Sequence, residues 1–270
     1  METSAFASFY QFSKVTQPEY FKDLLIEQCE IAGIMGTIIL SSEGVNGSIV
    51  GSDTAISSLL EFVVKNLQFN DLLINRSKTK AKPFDRLVVR IKDEIVTSGL
   101  KHKPLSSDYV EPEEWDTFIE QEDVIAVDVR NFYEHSIGSF TNAVRAEIRN
   151  FRQFPEFVSK VLEKNKDKKL AIFCTGGIRC EKASHLLKNS GFDKVYQLKG
   201  GIFNYFVKKR EAKKDLWYGD CFVFDKRLAV DRNFDTINYQ QCPNCKGMIS
   251  KKDAPVDDIE WAVCAACIQN

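Results

Sequence analysis

The chain has 270 residues, of which 44% are hydrophobic and 28% charged, a composition typical of globular rather than disordered proteins. Its net charge of -1 at pH 7 excludes uniform polycationic binding, so any contact with nucleic acid must come from local patches. No apolar run is long enough to cross a bilayer, and the N-terminus lacks the basic region and apolar core of a signal peptide. We therefore expect a cytoplasmic protein with no membrane partner, whose eight cysteines stay reduced and serve catalysis or metal binding.

The first part of the chain alternates between strand and helix patterns. Strands are predicted at 5–12, 35–40, 45–50, 72–74 and 87–91. One helix is predicted from an N-cap at Thr16 to about Gly33, and a second from a cap at Asp53 to Leu67. The order βαββαβ is that of a ferredoxin-like sandwich, so residues 1–103 are predicted to form an α+β domain.

A different pattern begins after a polar stretch at 104–112, which is predicted to be an interdomain linker. Continuous apolar runs at 124–127 and 170–173 alternate there with helical segments. Such alternation is typical of a parallel sheet covered by helices, so an α/β domain is predicted over 113–215. The remaining residues, 216–270, are expected to form a small cysteine-rich C-terminal segment.

Cys174 directly follows the second apolar run and precedes a helix predicted to begin near Cys180. A thiol in that position faces backbone N–H groups and the positive end of the helix dipole, both of which lower its pKa. Arg179 adds a fixed positive charge. The loop between them, which can cradle an anion or a persulfide, consists of Thr175, Gly176, Gly177 and Ile178. A buried structural cysteine is the alternative, but the glycine pair and the arginine in register favour a catalytic Cys174.

The length of this loop favours binding of a single added sulfur atom over binding of a phosphate. Four residues separate Cys174 from Arg179, whereas phosphatases of related architecture need five to surround a phosphate. The tighter ring suits a single added sulfur atom. Segments on both sides, 128–143 and 196–202, are similar to the corresponding parts of rhodanese domains.

A narrower resemblance follows from segments 36–47, 89–96 and 128–131, and above all from Cys174-Thr175-Gly176-Gly177-Ile178-Arg179-Cys180-Glu181-Lys182. Together they resemble the bacterial rhodanese-domain family of tRNA uridine hydroxylases, in order, over about residues 1–225. The resemblance implies hydroxylation of C5 of the wobble uridine, tRNA bound at its anticodon loop, and molecular oxygen as co-substrate. It also requires an electron donor, which the sequence does not identify. By motif match, Cys174 corresponds to the family's persulfide-type active cysteine and Cys180 to the second cysteine.

Other functions stay open at this point. One alternative is a rhodanese-type sulfurtransferase that forms a persulfide on Cys174, and another is a non-enzymatic RNA-binding or redox-sensing module. The sequence has no dinucleotide motif for a flavin or nicotinamide, and its three histidines, His102, His135 and His185, show no spacing typical of iron ligands. A cysteine mechanism is left by elimination. Cys174 would add to C6 of the pyrimidine or carry oxidised sulfur, with Cys180 as the resolving thiol.

Two basic stretches are candidates for RNA contact. The first, partly at alternate positions, comprises Arg76, Lys78, Lys80, Lys82, Arg86, Arg90 and Lys92. Alternation on one strand would place several charges on one face, as a phosphate-tracking surface requires. The second stretch comprises Lys208, Lys209, Arg210, Lys213 and Lys214. An ordinary solvated surface is the alternative for each.

The C-terminal segment contains two CxxC pairs, Cys242 with Cys245 and Cys264 with Cys267, separated by 18 residues. This spacing predicts a structural zinc site in which four thiolates form a tetrahedron. Redox pairs or unliganded thiols are the alternative interpretation, which a reducing compartment disfavours.

Overall fold

The computed structural model of the chain describes residues 3–100, 108–211, 215–250, 263–264 and 267. In the first domain the elements are β1 (Ser4–Phe12), α1 (Pro18–Ile31), β2 (Met35–Ser41), β3 (Gly44–Gly51), α2 (Asp53–Leu67), β4 (Leu73–Thr79) and β5 (Leu87–Ile91). The strands form one sheet in the order β4-β1-β3-β2-β5, antiparallel except that β5 runs parallel to β2. The predicted ferredoxin-like βαββαβ arrangement is confirmed, with β5 added at one edge.

Strand β1 shows how the sequence divides this sheet into two faces. Ala7 and Phe9 belong to the core cluster under α1 and α2, where Phe9 is 1% exposed. The residues between and after them, Phe6, Ser8 and Tyr10, lie on the opposite, helix-free face because side chains alternate along a strand. That second face is covered by the other domain, which is how it comes to line the functional site.

Both helix starts in this domain differ from the prediction by one residue. Helix α1 begins at Pro18 with no side-chain cap, so the predicted cap at Thr16 is wrong. Proline is favoured at the first helical position because it has no N–H to leave unpaired, and it replaces the cap as the start signal. In α2 the cap is Ser52, whose Oγ accepts a hydrogen bond from the Ala55 N–H at 3.1 Å, and Asp53 is the first helical residue.

The second domain contains a purely parallel sheet in the order β6-β11-β10-β7-β9. Its elements are β6 (Asp108–Val110), α3 (Pro112–Ile119), β7 (Val124–Asp128), α4 (Phe132–His135), β8 (Gly138–Phe140), β9 (Val144–Arg145), α5 (Phe154–Phe157), β10 (Lys169–Phe173), α6 (Ile178–Asn189), β11 (Val195–Leu198) and α7 (Gly201–Lys208). The segments around α5, Phe151–Gln153, Val158–Leu162 and Glu163–Asn165, are short 3₁₀ and π turns. The predicted parallel α/β domain is confirmed.

Part of the predicted linker 104–112 is in fact structure. Strand β6 pairs with β11, and α3 begins directly after it. Only Val110 of this strand is buried, while Asp108 and Tyr109 are exposed, so no apolar run marks it in the sequence. Similarly, α6 begins at Ile178, two residues before the predicted start at Cys180.

The C-terminal segment adds short strand pairs rather than a separate core. Its strands are β12 (Trp217–Gly219), β13 (Cys221–Phe222), β14 (Ala229–Val230), β15 (Tyr239–Gln241) and β16 (Met248–Ser250). Strand β12 pairs with β8, and Trp217 packs edge-on against Phe140 at 5.3 Å between ring centroids. The start of this segment is therefore part of the second domain.

One hydrophobic cluster joins all three parts of the chain. It contains Phe6 and Phe84 from the first domain, Trp115 and Phe173 from the second, and Val223 from the C-terminal segment. Burying a large apolar side chain contributes roughly 1.5–3 kcal/mol, so this shared cluster fixes the domains against each other. Across the described ranges, no helix combines the length and the apolar character needed to span a membrane.

Candidate functional site

A cavity of about 460 Å³ lies between the helix-free face of the first sheet and the loop that follows β10. The first sheet contributes Ser8, Tyr10 and Asn46, among other residues, to its lining. The loop contributes Cys174, and the C-terminal segment contributes Phe224. All three parts of the chain are thus needed to form the cavity, and the predicted reactive loop forms one of its walls.

Cys174 is 1% exposed, and its Sγ accepts a hydrogen bond from the Gly177 N–H at 3.2 Å. Burial by itself raises the pKa of this thiol. A hydrogen bond from the Cys180 thiol, the charge of Arg179, and the backbone amides of Arg179 and Cys180 outweigh burial and lower the pKa to about 6. Cys174 is therefore a thiolate at neutral pH, as a nucleophile requires.

Cys180 has the opposite electrostatic environment. Burial, and then the hydrogen bond and negative charge of Cys174, raise its pKa well above the ordinary value. The two cysteines therefore differ in protonation: Cys180 keeps its proton and stabilises the Cys174 thiolate by a hydrogen bond. Cys180 lies in the first turn of α6, directly after the loop that begins at Cys174, so the predicted partnership between them is compatible with the fold.

Arg179 is held in place by Glu134, a residue for which the sequence predicted no role. Two hydrogen bonds of 2.6 Å join the guanidinium to the two carboxylate oxygens, and both side chains are buried. Glu134 also accepts a hydrogen bond from the Asn131 N–H at 3.0 Å, as a glutamate at the third position of a helix does in a capping box. The spacing Asn131-x-x-Glu134 was the available signal that this carboxylate turns inward.

The glycines of the loop meet different requirements. Gly177 has φ +98°, and a Cβ there would lie 2.8 Å from the Tyr10 hydroxyl. By contrast, a Cβ at Gly176 would have no heavy atom within 4 Å, because this residue faces the open cavity. At Gly201, in the closing turn, a Cβ would lie 2.5 Å from the Cys174 carbonyl oxygen. The close approach of turn and loop therefore requires glycine there.

The residue after Cys180 links the reactive helix to both sheets. Glu181 Oε1 accepts hydrogen bonds from the hydroxyls of Tyr10 at 3.1 Å and Tyr109 at 2.9 Å, and from the Gln197 amide at 3.2 Å. Burial raises the pKa of Glu181, and these donors oppose the shift. Tyr10 comes from the first domain, so the network positions that domain relative to the loop.

Lys182 makes a second link to the first domain. Its Nζ lies 2.6 Å from Glu94 and 3.0 Å from Glu43, and its side chain is fully buried. Burial raises the pKa of Glu94, but hydrogen bonds from Lys182 and Ser98 outweigh it and lower the pKa to about 2. The sequence marked Glu181 and Lys182 only as parts of a motif; their partners come from distant segments.

The structure does not place the first basic stretch on one strand. Arg76 and Lys78 lie on β4, Arg90 lies on β5, and these strands are at opposite edges of the sheet. The exposed residues Lys80, Lys82 and Arg86 lie in the connection between them. Strand β4 extends to Thr79 rather than ending at 74 as predicted, because it pairs with β1 although its second half is polar.

Residues of both basic stretches line the same groove. A groove of about 380 Å³ is lined by Arg76 and Lys78 from β4, by Arg210, and by the carboxylate-bearing Asp53, among others. Within the described part of the chain, no ion pair joins any of these three cations to a carboxylate. Their neighbours in the second stretch are engaged elsewhere: Lys208 lies 3.5 Å from Glu113, and Lys209 lies 3.0 Å from Asp116. Lys213 and Lys214 fall outside the described residues.

The histidines that the structure describes lie in packing positions. His135 is buried, and its Nε2 is 3.1 Å from the Ala146 carbonyl oxygen. His185 Nε2 is 2.9 Å from the Asn189 amide on the same helix. His102 lies outside the described residues.

The four C-terminal cysteines come together as a candidate metal centre. The sulfur atoms of Cys242, Cys245, Cys264 and Cys267 all lie within 4.8 Å of one another. Backbone N–H groups of Gly247 and Cys264 donate to Cys245 and Cys242 at 3.3 and 3.5 Å. Four sulfurs at this separation, with amides directed at two of them, fit a tetrahedral metal ion with bonds of about 2.3 Å. The cluster can therefore hold a metal.

The fold and site together define a class: a rhodanese-type domain, with its cysteine loop at the carboxyl end of a central parallel strand, covered by a ferredoxin-like domain. Family models agree, since the "UPF0176 acylphosphatase like domain" matches residues 4–95 and the "Rhodanese-like domain" matches residues 111–208.

Full-length relatives narrow the class to a family. The tRNA uridine(34) hydroxylase of Acinetobacter baylyi is 39% identical over 266 residues, covering 97% of this chain and 84% of the relative. That of Neorickettsia sennetsu is 39% identical over 278 residues, covering 100% of this chain and 98% of the relative. The chain belongs to the tRNA uridine(34) hydroxylase family, and the prediction from the motifs is confirmed.

Proposed function

We propose that this chain hydroxylates C5 of the wobble uridine of tRNA, with molecular oxygen as the oxygen source and Cys174 as the nucleophile. The observation that carries the proposal is a thiolate, with a pKa of about 6, in the wall of a cavity that the two domains enclose together. The relatives named as tRNA uridine(34) hydroxylases support the choice of substrate.

The cysteine supplies the activation step. The Cys174 sulfur adds to C6, and the electron pair of the C5–C6 double bond moves toward the O4 carbonyl, so that C5 becomes electron-rich. After oxygen is installed, loss of the C5 proton and expulsion of the thiolate restore the double bond. Overall, one oxygen atom of O₂ becomes the C5 hydroxyl and the other becomes water. A two-electron reductant, such as a cellular dithiol that is oxidised to its disulfide, provides the two electrons and two protons that water formation needs.

Arg179 and Cys180 have different roles in this mechanism. Arg179, fixed by Glu134, keeps the sulfur ionised before addition and favours its departure at the end. Cys180 stabilises the thiolate by a hydrogen bond and acts as the resolving thiol when the sulfur is oxidised. If Cys174 becomes a sulfenic acid, attack by Cys180 releases water and forms a disulfide, which the same reductant reopens.

The proposal is tested by mass spectrometry of tRNA nucleosides from a deletion strain that carries variants of this protein. Cys174→Ser should abolish 5-hydroxyuridine derivatives, whereas Cys29→Ala, at a buried cysteine of the first domain, should preserve them. Unchanged hydroxyuridine with Cys174→Ser would refute the proposal. Loss of thiolated nucleosides instead would support the alternative, a sulfurtransferase that forms a persulfide on Cys174.

For tRNA binding, the proposed contacts are Arg76, Lys78, Lys80, Lys82, Arg86 and Arg90. The convergence of Arg76 and Lys78 with Arg210 makes the groove beside β4 the strongest part of this set. Neutralising Arg76 or Lys78 should weaken binding uniformly across anticodon sequences and reduce the slope of log K against log salt by about 1 each. Lys160→Ala, at an exposed lysine on the second domain, is the control and should leave the slope unchanged.

The proposed metal of the C-terminal cluster is zinc in a structural role. A site of four thiolates with no open position is typical of structural zinc. Metal analysis of the purified protein should find about one zinc per chain; protein that is fully folded without zinc would exclude this role.

A further inference from the structure

The cavity beside Cys174 contains polar atoms that no neighbouring group satisfies. Thr175 is 8% exposed, and among the described residues its hydroxyl oxygen has no hydrogen-bond partner. The Ser8 hydroxyl oxygen on β1 is also buried and likewise has no hydrogen-bond partner among the described residues. A buried polar group without a partner costs about 1–3 kcal/mol, and both residues line the cavity. A ligand that enters the cavity can supply the missing hydrogen bonds.

A third polar group in the cavity has a fixed orientation. The Asn46 side-chain nitrogen donates to the Ile95 carbonyl oxygen at 3.0 Å, so its amide is held by the backbone. The Asn46 Oδ1 is thereby left as a hydrogen-bond acceptor, with no partner among the described residues. Asn46 pairs with Tyr10 across β1 and β3, and Ser8 pairs with Ser48 in the same register. Asn46 and Ser8 are therefore diagonal neighbours on the helix-free face.

The Asn46 and Ser8 side chains and Cys174 lie on opposite walls of the same cavity. Asn46 and Ser8 belong to the first sheet, whereas Cys174 and Thr175 belong to the loop of the second domain, and the cavity lies between the two. In a pyrimidine, C6 and N3 are at opposite corners of the six-membered ring. A ring whose C6 faces the Cys174 sulfur therefore directs N3 toward the wall that holds Asn46.

We propose that this cavity receives the target base flipped out of the anticodon loop, and that Asn46 and Ser8 select uracil over cytosine. The inference rests on the proposed function and deepens it. Asn46 Oδ1 accepts the uracil N3–H, and the Ser8 hydroxyl donates to a flanking carbonyl oxygen. Cytosine carries a lone pair at N3, which would face the Asn46 oxygen and be repelled. Thr175, next to Cys174, faces the C5 edge and hydrogen-bonds the oxygen installed there.

The cavity also has a surface on which a flipped base can stack. Phe224 is 64% exposed and lines the cavity, and Arg179 Cζ lies 5.7 Å from the centroid of the Phe224 ring. Single-stranded RNA bases are commonly held by such exposed aromatic rings, which read the base face rather than its edge. Phe224 therefore contributes affinity, and Asn46 with Ser8 contributes selectivity.

Fluorescence anisotropy with the full chain and two anticodon stem-loops, differing only by U or C at the wobble position, tests this assignment. The unaltered protein should bind the U form about tenfold more tightly, the effect of one well-placed hydrogen bond. Asn46→Leu should reduce that ratio to within about twofold, and Ser8→Ala should reduce it by a smaller factor. Ser159→Ala, which removes a hydroxyl outside the cavity, is the control and should keep the full ratio.

Two further measurements cover the case in which Asn46→Leu does not fold. A stem-loop with N3-methyluridine, which lacks the N3–H, should bind the unaltered protein as weakly as the C form. Ser8→Ala removes an unpartnered hydroxyl, so its Tm should be unchanged or higher while its selectivity falls. Equal binding of the U and C forms by the unaltered protein, or equal loss for both forms with Asn46→Leu, would overturn the inference. Neither result bears on whether Cys174→Ser abolishes hydroxylation, so the two proposals fail independently.

Discussion

The chain contains two groups of cysteines, at the reactive loop and in the C-terminal segment, which differ in burial, in the pKa of their thiols and in geometry. At the reactive loop, Cys174 and Cys180 are both fully buried, yet the pKa of the first is lowered to about 6 and that of the second is raised well above its ordinary value. At the C-terminal centre, four sulfurs lie within 4.8 Å of one another, and three of the four residues are partly exposed. A nucleophile requires one thiol to differ from its neighbour, so the environment is asymmetric. A metal site requires several thiolates around one point, so its geometry is closed.

The largest expected effect is a difference in zinc content between variants of the two groups of cysteines. Cys245→Ser should reduce bound zinc from about one per chain to near zero and unfold the β15–β16 hairpin locally, because metal binding contributes on the order of 10 kcal/mol at structural sites. Cys174→Ser should leave the zinc content unchanged. Metal analysis and amide hydrogen exchange measure the two effects. Loss of zinc in the Cys174 variant would show that the centres are not independent.

A smaller effect is expected at the reactive loop, where the contribution of Arg179 to the free energy of unfolding can be separated from its effect on the pKa of Cys174. Arg179→Met leaves Glu134 buried without its partner, which should cost about 3–5 kcal/mol in the free energy of unfolding and also raise the pKa of Cys174. The double variant Arg179→Met/Glu134→Gln should recover most of the stability, because no buried charge is left unpaired, but not the low pKa. Urea denaturation and the pH dependence of alkylation report these two quantities. A double variant that recovers both would show that Arg179 acts only structurally.

The smallest effect concerns the hydrogen bond between the two thiols. Because the pKa of Cys174 is about 6, its alkylation by iodoacetamide should rise as pH increases through 6 and level off above it. Cys180→Ala removes the donor and should move this midpoint upward by about one unit, which corresponds to about 1.4 kcal/mol. Cys180→Ser keeps a hydroxyl donor and should leave the midpoint near 6. Identical profiles for the alanine and serine variants would exclude the hydrogen bond as a cause.

Local sequence patterns predicted both domains and the reactive loop because each depends on neighbours in the chain. The βαββαβ order followed from strand and helix periodicity, and the Cys174 loop followed from a strand, two glycines and an arginine in register. The errors occurred where tertiary pairing replaced a local signal. Strand β6 has one buried residue and forms only because β11 is beside it. Alternation was expected to place several basic residues on one face of a single strand, but Arg76 and Lys78 lie on β4 and Arg90 lies on β5, at opposite edges of the sheet.

The sequence by itself determined the chemistry available at Cys174, since the loop length, the glycines and Arg179 are contiguous and their backbone geometry is local. The tertiary structure alone decided what surrounds that sulfur. Glu134 is brought to Arg179 by the packing within the second domain. Tyr10, Ser8 and Asn46 reach the loop because the helix-free face of the first sheet packs against that domain. The physical reason is that charge and hydrogen bonding act over a few ångströms of space, and those distances are set by packing rather than by position along the chain.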